Sequence, residues 1–454
     1  MKRNSVYIVF IALTAACGGF LFGFDTAVIS GALSPLVRYF ALENSPALQG
    51  WIVSSVVLGS VLGAIVSGYL ADHWGRKKTL MLTGILFLVS SAGAALSSSF
   101  SLFILFRLVC GLAVGIAAMV SPLYLAEVSP ARIRGRVVAL NQLTLTVGVL
   151  LAYISNVFIQ RSMESDSILF GINCTGTEAW RLMLGIAVLP SLAFLLLLAA
   201  VPESPRFLAI HAHNTDKALE LLTRVAGTQE AEREMEQIKA MSAEKILPMG
   251  KLISRPFRTA TFIALFLAIV SQLSGIDIVL HYGPVILERS GMSFGDALVS
   301  QLVFGIVLVI FTSVAMWKID TWGRRLLLLI GNAGVFISLL FMSYFLGTES
   351  FSENGLLIAI SCFVASFAVA LGPVPWIIMA EIFPSRIRGQ AMALATFVLF
   401  GTNWLVAQLF PLSVFHLGES ATFRVLAICA VPTFFFIWKI LPETKGKLLE
   451  DSII

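Results

Sequence analysis

Charge is what this sequence has least of. Only 13% of its 454 residues are Asp, Glu, Lys or Arg, against 58% hydrophobic, and the mean hydropathy is +0.91. A water-soluble domain of this length needs a polar surface that such a chain cannot supply, so the composition places it in the membrane class. Cysteine is scarce as well. Cys17, Cys110, Cys174, Cys362 and Cys429 are scattered without metal spacing, four of them in apolar runs; this pattern supports neither a disulfide framework nor a zinc site. The histidines are His73, His211, His213, His281 and His416, with no HExxH pattern and no nucleophile elbow, so no enzyme activity and no cofactor are expected. The sequon at Asn173 falls in a short outer loop and is expected to go unused.

What the chain has instead is apolar length. A hydrocarbon layer of roughly 30 Å takes about 20 helical residues to cross. Runs of that order recur near 7–30, 50–72, 79–97, 102–126, 135–160, 180–201, 258–287, 297–317, 326–347, 355–380, 390–412 and 420–440. The start, MKRNSVYIVF, lacks a small-residue cleavage site before the polar break, so the first run is expected to stay in the protein. With both termini in the cytoplasm, Arg38, Arg161, Arg181, Arg289 and Arg424 fall outside and Arg107 lies in the fourth run. Every other one of the 31 Lys and Arg falls inside. That is the positive-inside bias; it accounts for the net charge of +5 without nucleic acid.

The chain also repeats itself. LADHWGRKK at 70–78 recurs as KIDTWGRR at 318–325, YLAEVSPARIRGR at 124–136 as IMAEIFPSRIRGQ at 378–390, and VPESPRF as LPETKGK. Three motifs in one order mark two homologous six-helix halves. The expected architecture is all-α and integral to the membrane, twelve helices in two bundles, 1–201 and 258–454. The polar stretch between them, 202–257, has helical spacing in TDKALELLTRVAG and AEREMEQIKAM and reads as amphipathic helices on the cytoplasmic face.

Twelve spans in two repeats with these loops resemble the major facilitator superfamily. FGFDTAVISG, the PESPR and PETKG boxes, NQLTLTVG, QLSGID and GPVPWIIMAEIFPSRIRG narrow the resemblance to the sugar porter family, over essentially the whole chain. That family includes proton-coupled xylose, arabinose and galactose symporters and facilitative glucose transporters.

Asp25, Arg107 and Asp277 are ionisable groups inside apolar runs, where an unpaired charge is expensive and marks function or pairing. Asp25 and Arg107 each lie about five residues from the outer end of their runs, which at about 1.5 Å per residue gives similar depth. They are expected to face each other, either as the proton-coupling pair that the resemblance implies or as a static pair joining two helices. The resemblance further implies a solute site of Gln142, Gln272 and Asn403 with Trp376 as aromatic platform, lined by Phe22 and Trp404, and an external gate at His281 and Tyr282. Neutral amides suit hydroxyl groups because each both donates and accepts. The chain departs from the family pattern at Ser271, Asp277, His281 and Leu308. Asp277 is expected in the solute site, where it either binds hydroxyls as a carboxylate, serves as a second protonation site, or mimics an asparagine when protonated.

Asp72, Arg76, Glu127 and Arg134, their counterparts Asp320, Arg324, Glu381 and Arg388, and Glu203 with Arg206 of the first box are expected to form ion pairs across the two bundles on the cytoplasmic side. Such pairs would hold an outward-facing state. Gly372, Pro373, Pro375, Ser274 and Gly275 interrupt two runs near the midplane, the usual pointer to a binding site. The function expected is proton-coupled symport of a monosaccharide or polyol by a monomer in the cell membrane, with the proton as coupling ion. The alternatives are a porter of another polyhydroxylated or charged solute and a non-transporting sugar sensor, a class that tends to carry long cytoplasmic extensions.

Overall fold

The computed structural model describes residues 2–130, 133–164, 178–210, 212, 214–243, 248–348 and 353–445. The described residues form helices and connecting turns, with no strand. Twelve helical spans are long and apolar enough to cross a membrane. Cys174, the sequon at Asn173, and His211 and His213 lie outside the described residues.

The N-terminal spans are α1 (Lys2–Tyr39), α2 (Pro46–Trp74), α3 (Arg76–Leu96), α4 (Phe100–Val128), α5 (Arg134–Glu164), and a sixth made of α6 (Ala179–Gly185) and α7 (Val188–Ala200). Proline explains that break: Pro190 has no N–H to give the carbonyl four residues back, Ile186, where the helix loosens. The connecting segment holds α8 (Pro205–Ile210), α9 (Thr215–Ala226) and α10 (Thr228–Ala243). They are the amphipathic helices that the spacing promised, closed around a small core of Ala218, Leu222, Ala231 and Met235. Next come α11 (Arg258–Leu273), α12 (Ile276–Arg289), α13 (Phe294–Trp322), α14 (Arg324–Gly347), α15 (Glu353–Val369), α16 (Val374–Glu381), α17 (Ser385–Leu417) and α18 (Glu419–Lys439). The two interruptions read from the sequence separate α11 from α12 and α15 from α16. Gly275 adopts φ 85°, a left-handed conformation that ends one helix and starts the next.

The first run extends past its expected end near Ser30: α1 continues to Tyr39. Ser34 and Arg38, which look like loop residues, are held there by Glu288 of α12, at 2.7 Å each.

Close packing in the N-terminal half rests on glycine. Gly59 and Gly63 of α2 face Gly111 and Gly115 of α4: a Cβ on Gly111 would stand 1.9 Å from the Val56 carbonyl oxygen and one on Gly59 2.2 Å from that of Leu108. In a membrane, where lipid removes the hydrophobic drive between helices, such small-residue seams let backbones touch and gain dispersion energy. The sequence carries this signal as two Gly-x-x-x-Gly pairs that the motif reading passed over. Gly111→Ala should therefore destabilise the purified protein by about 1–3 kcal/mol, seen as a thermal midpoint several degrees lower in detergent. Gly68→Ala, where nothing lies within 4 Å, should leave the midpoint unchanged; equal midpoints for the two variants would contradict this packing account.

Candidate functional site

The carboxylate of α1 and the guanidinium of α4 meet. Arg107 Nη1 donates to Asp25 Oδ1 at 2.9 Å, and the two residues are 3% and 6% exposed. Each ion offsets the desolvation of the other, and removing either would leave an uncompensated buried charge. The pair is incompletely satisfied, because Asp25 Oδ2 and Arg107 Nε have no hydrogen-bond partner. One turn before Asp25, on the same face of α1, Phe22 reaches Phe400 of α17 with ring centroids 6.3 Å apart. Asn403 follows Phe400 by one turn, and the Asp277 carboxylate lies beside the Asn403 amide.

Phe22 and Gln142 of the first half and Gln272, Asp277, Trp376 and Trp404 of the second all keep partial exposure, and Asn403 is 9% exposed, as residues bordering a space between the halves would. Gln272 Oε1, Asn403 Oδ1, Trp404 Nε1 and His281 Nδ1 are buried without a hydrogen-bond partner. Buried polar atoms normally have one, so this concentration suits a polar solute. The helix breaks position the set: Gln272 and Asp277 flank Gly275, and Trp376 rides on the short α16. His281 and Tyr282 are buried rather than at a rim. The Tyr282 hydroxyl donates to the Ala407 carbonyl of α17 at 3.4 Å, and His281 is within electrostatic reach of Arg107.

The two halves touch chiefly on the face away from the connecting segment. There Arg38 and Ser34 bind Glu288, Ser30 donates to Gln301 Oε1 at 3.0 Å, Ser54 donates to Gln408 Oε1 at 2.6 Å, and Tyr153 donates to the Leu280 carbonyl at 3.1 Å. On the opposite face the buried cluster around Ile11–Leu21 draws only on residues up to Val201. The space therefore opens toward the connecting segment.

In this state the ion pairs that Arg76 and Arg324 make lie within one half each. Arg76 binds Glu127 at 2.9 Å and Asp72 at 3.2 Å; Arg324 binds Glu381 at 2.9 Å and Asp320 at 3.0 Å. Arg134 pairs with Glu234 of α10 at 2.6 Å, Arg388 donates to the Phe383 carbonyl, and Arg206 joins no ion pair among the described residues. Arg76 and Arg324 thus each find their acids at the ends of adjacent helices of their own half.

Glu203 accepts the backbone N–H groups of Arg76 and Lys77, capping α3, while Ser204 donates to Glu127 at 2.5 Å. Glu443 and Thr444 repeat this on Arg324, Arg325 and Glu381. Burial would raise the Glu443 carboxyl, but donation from the backbone N–H groups of Arg324, Lys445 and Arg325 holds it below the ordinary value. Glu443 and Thr444 belong to the PETKG box, whose match to PESPR carries the signal for this duplicated role.

A model of the family described as sugar (and other) transporter matches residues 11–452. The chain belongs to the sugar transporter family. Among its relatives, the arabinose-proton symporter of Bacillus subtilis is 37% identical over 98% of this chain and 94% of its own length. The D-xylose-proton symporter of Escherichia coli is 34% identical over 99% and 96%, and the major myo-inositol transporter of B. subtilis 34% over 97% and 92%. Among solved structures, the partially occluded inward-open conformation of the E. coli xylose transporter superposes with a TM-score of 0.85 at 31% identity, covering 98% of this chain and all of that one. The form bound to 6-bromo-6-deoxy-D-glucose gives 0.81 at 32% identity, covering 99% of each chain. This sugar transporter family member thus has the major facilitator fold.

The far-face seam yields a test. Glu288→Ala removes the hydrogen bonds from Ser34 and Arg38, a half-exposed contact worth about 0.5–1 kcal/mol. It should shift the population toward the opposite opening by about two- to fivefold, measured by spin-label distances between the far ends of α1 and α12. An unchanged distance distribution would show that this seam does not set the equilibrium.

Proposed function

We propose that this chain is a proton-driven symporter of a monosaccharide or polyol, working by alternating access. The observation that carries the reading is the buried Asp25–Arg107 pair, incompletely hydrogen-bonded and one helical turn from a residue lining the internal space. The arabinose- and xylose-proton symporters and the inositol transporter among its relatives support the same class of solute. Gln142, Gln272, Asn403, Asp277, Trp376, Phe22 and Trp404 bind the solute: amides address hydroxyls and indole faces cover the C–H surface of a ring.

The basic residues crowd on the face of the connecting segment, so that face and both termini lie in the cytoplasm and the described state is open inward. The protein is a monomer of the cell membrane. Residues 1–201 and 258–454 rock as two bodies, with 202–257 tied to the first by Arg134 and Glu234. The motif pairs keep each body rigid, and His281 with Tyr282 close the solute path on the outer side.

Proton coupling follows from electrostatics. Separating Asp25 from Arg107 would leave two uncompensated buried charges, so movement at this contact is where a proton and the solute are coupled. Proton binding and solute binding become linked through α1, which carries both Phe22 and Asp25. Asp25→Asn should lower the solute accumulation ratio under an imposed pH gradient to unity, yet retain exchange of labelled for unlabelled solute across proteoliposomes. Surviving uphill uptake would remove Asp25 from the coupling role.

A further inference from the structure

Two carboxylates lie within the bundle interior, and they are treated differently by their surroundings. Asp25 has Arg107 against it, whereas Asp277 takes part in no ion pair among the described residues. The Asn403 amide hydrogen-bonds its carboxylate, and the His281 imidazole lies against its backbone carbonyl. Asp277 is in the first turn of α12, directly after the break at Gly275. Ile276 and Ile278 on either side are 3% and 2% exposed, yet Asp277 keeps partial exposure, so its side chain opens onto the solute space.

Asn403 Oδ1 and Gln272 Oε1, both acceptors, have no hydrogen-bond partner, and neither has the donor Trp404 Nε1. To these neutral groups, which suit hydroxyls, the carboxylate adds a negative charge that joins no ion pair among the described residues. An ammonium group presents three donors and no acceptor, and it supplies the positive charge that the protein withholds. We propose that the solute of this chain is polyhydroxylated and carries a protonated amine, an amino sugar or amino polyol, whose ammonium group docks on Asp277. This rests on the reading of the internal space as a sugar-type transport site.

The test uses the whole protein in proteoliposomes, comparing uptake of labelled D-glucosamine with that of D-glucose, and asking how well D-glucosamine and N-acetyl-D-glucosamine compete. The wild-type protein should favour the amine by about tenfold in kcat/KM, which is about 1.4 kcal/mol, within the range of a charge-assisted hydrogen bond. N-acetylation, which removes the charge, should abolish the advantage. Asp277→Asn should bring the ratio of amine to neutral sugar close to one. Neutral sugar uptake with no preference for the amine, or a ratio that Asp277→Asn leaves unchanged, overturns the proposal while leaving sugar transport intact. Uptake of neither overturns both. Should Asp277→Asn not fold, the wild-type competition between free and N-acetylated amine decides alone.

Discussion

A guanidinium and a carboxylate held 2.9 Å apart in an apolar bundle constrain everything near them. Neither ion is tolerable there alone, so α1 and α4 must stay in register at that level, or else the charge must be cancelled by a proton. The same helix that carries the carboxylate touches the other half of the protein at both ends of its upper stretch. Phe22 meets Phe400 on the solute side, while Ser30, Ser34 and Arg38 bind Gln301 and Glu288 on the far face. In our reading α1 is the element through which the position of the C-terminal half is felt at the charged pair.

Rigid halves are what make such a device work. The Gly-x-x-x-Gly seam between α2 and α4, and the duplicated assembly of arginine, two acids and a capping glutamate at the inner ends, tie each half internally. Between the halves, α2 packs on α17 and α5 on α13, and the far-face hydrogen bonds with the Arg38–Glu288 ion pair add to that packing.

Much of this was legible in the sequence because hydropathy and repetition act on whole segments. The twelve spans, the two midplane breaks and the duplicated motifs all follow from patterns many residues long. Asp25 and Arg107 could be paired because a charge in an apolar run demands a partner and few were on offer. The far-face seam was not legible: Ser34, Arg38 and Glu288 look like ordinary loop polarity until α1 is seen to continue past Ser30. The partners of the repeated arginines are not legible for a related reason: which acid each arginine meets depends on which face of the protein is open.

Solute-induced proton binding tests the central claim most directly. Purified protein in weakly buffered detergent solution, mixed rapidly with a transported solute and followed by a pH indicator, should take up close to one proton per molecule. The Asp25→Asn protein, shown to bind the same solute by calorimetry, should take up none. Proton uptake of equal size in both proteins, or none in either despite solute binding, would contradict the assignment of the coupled proton to the Asp25–Arg107 pair.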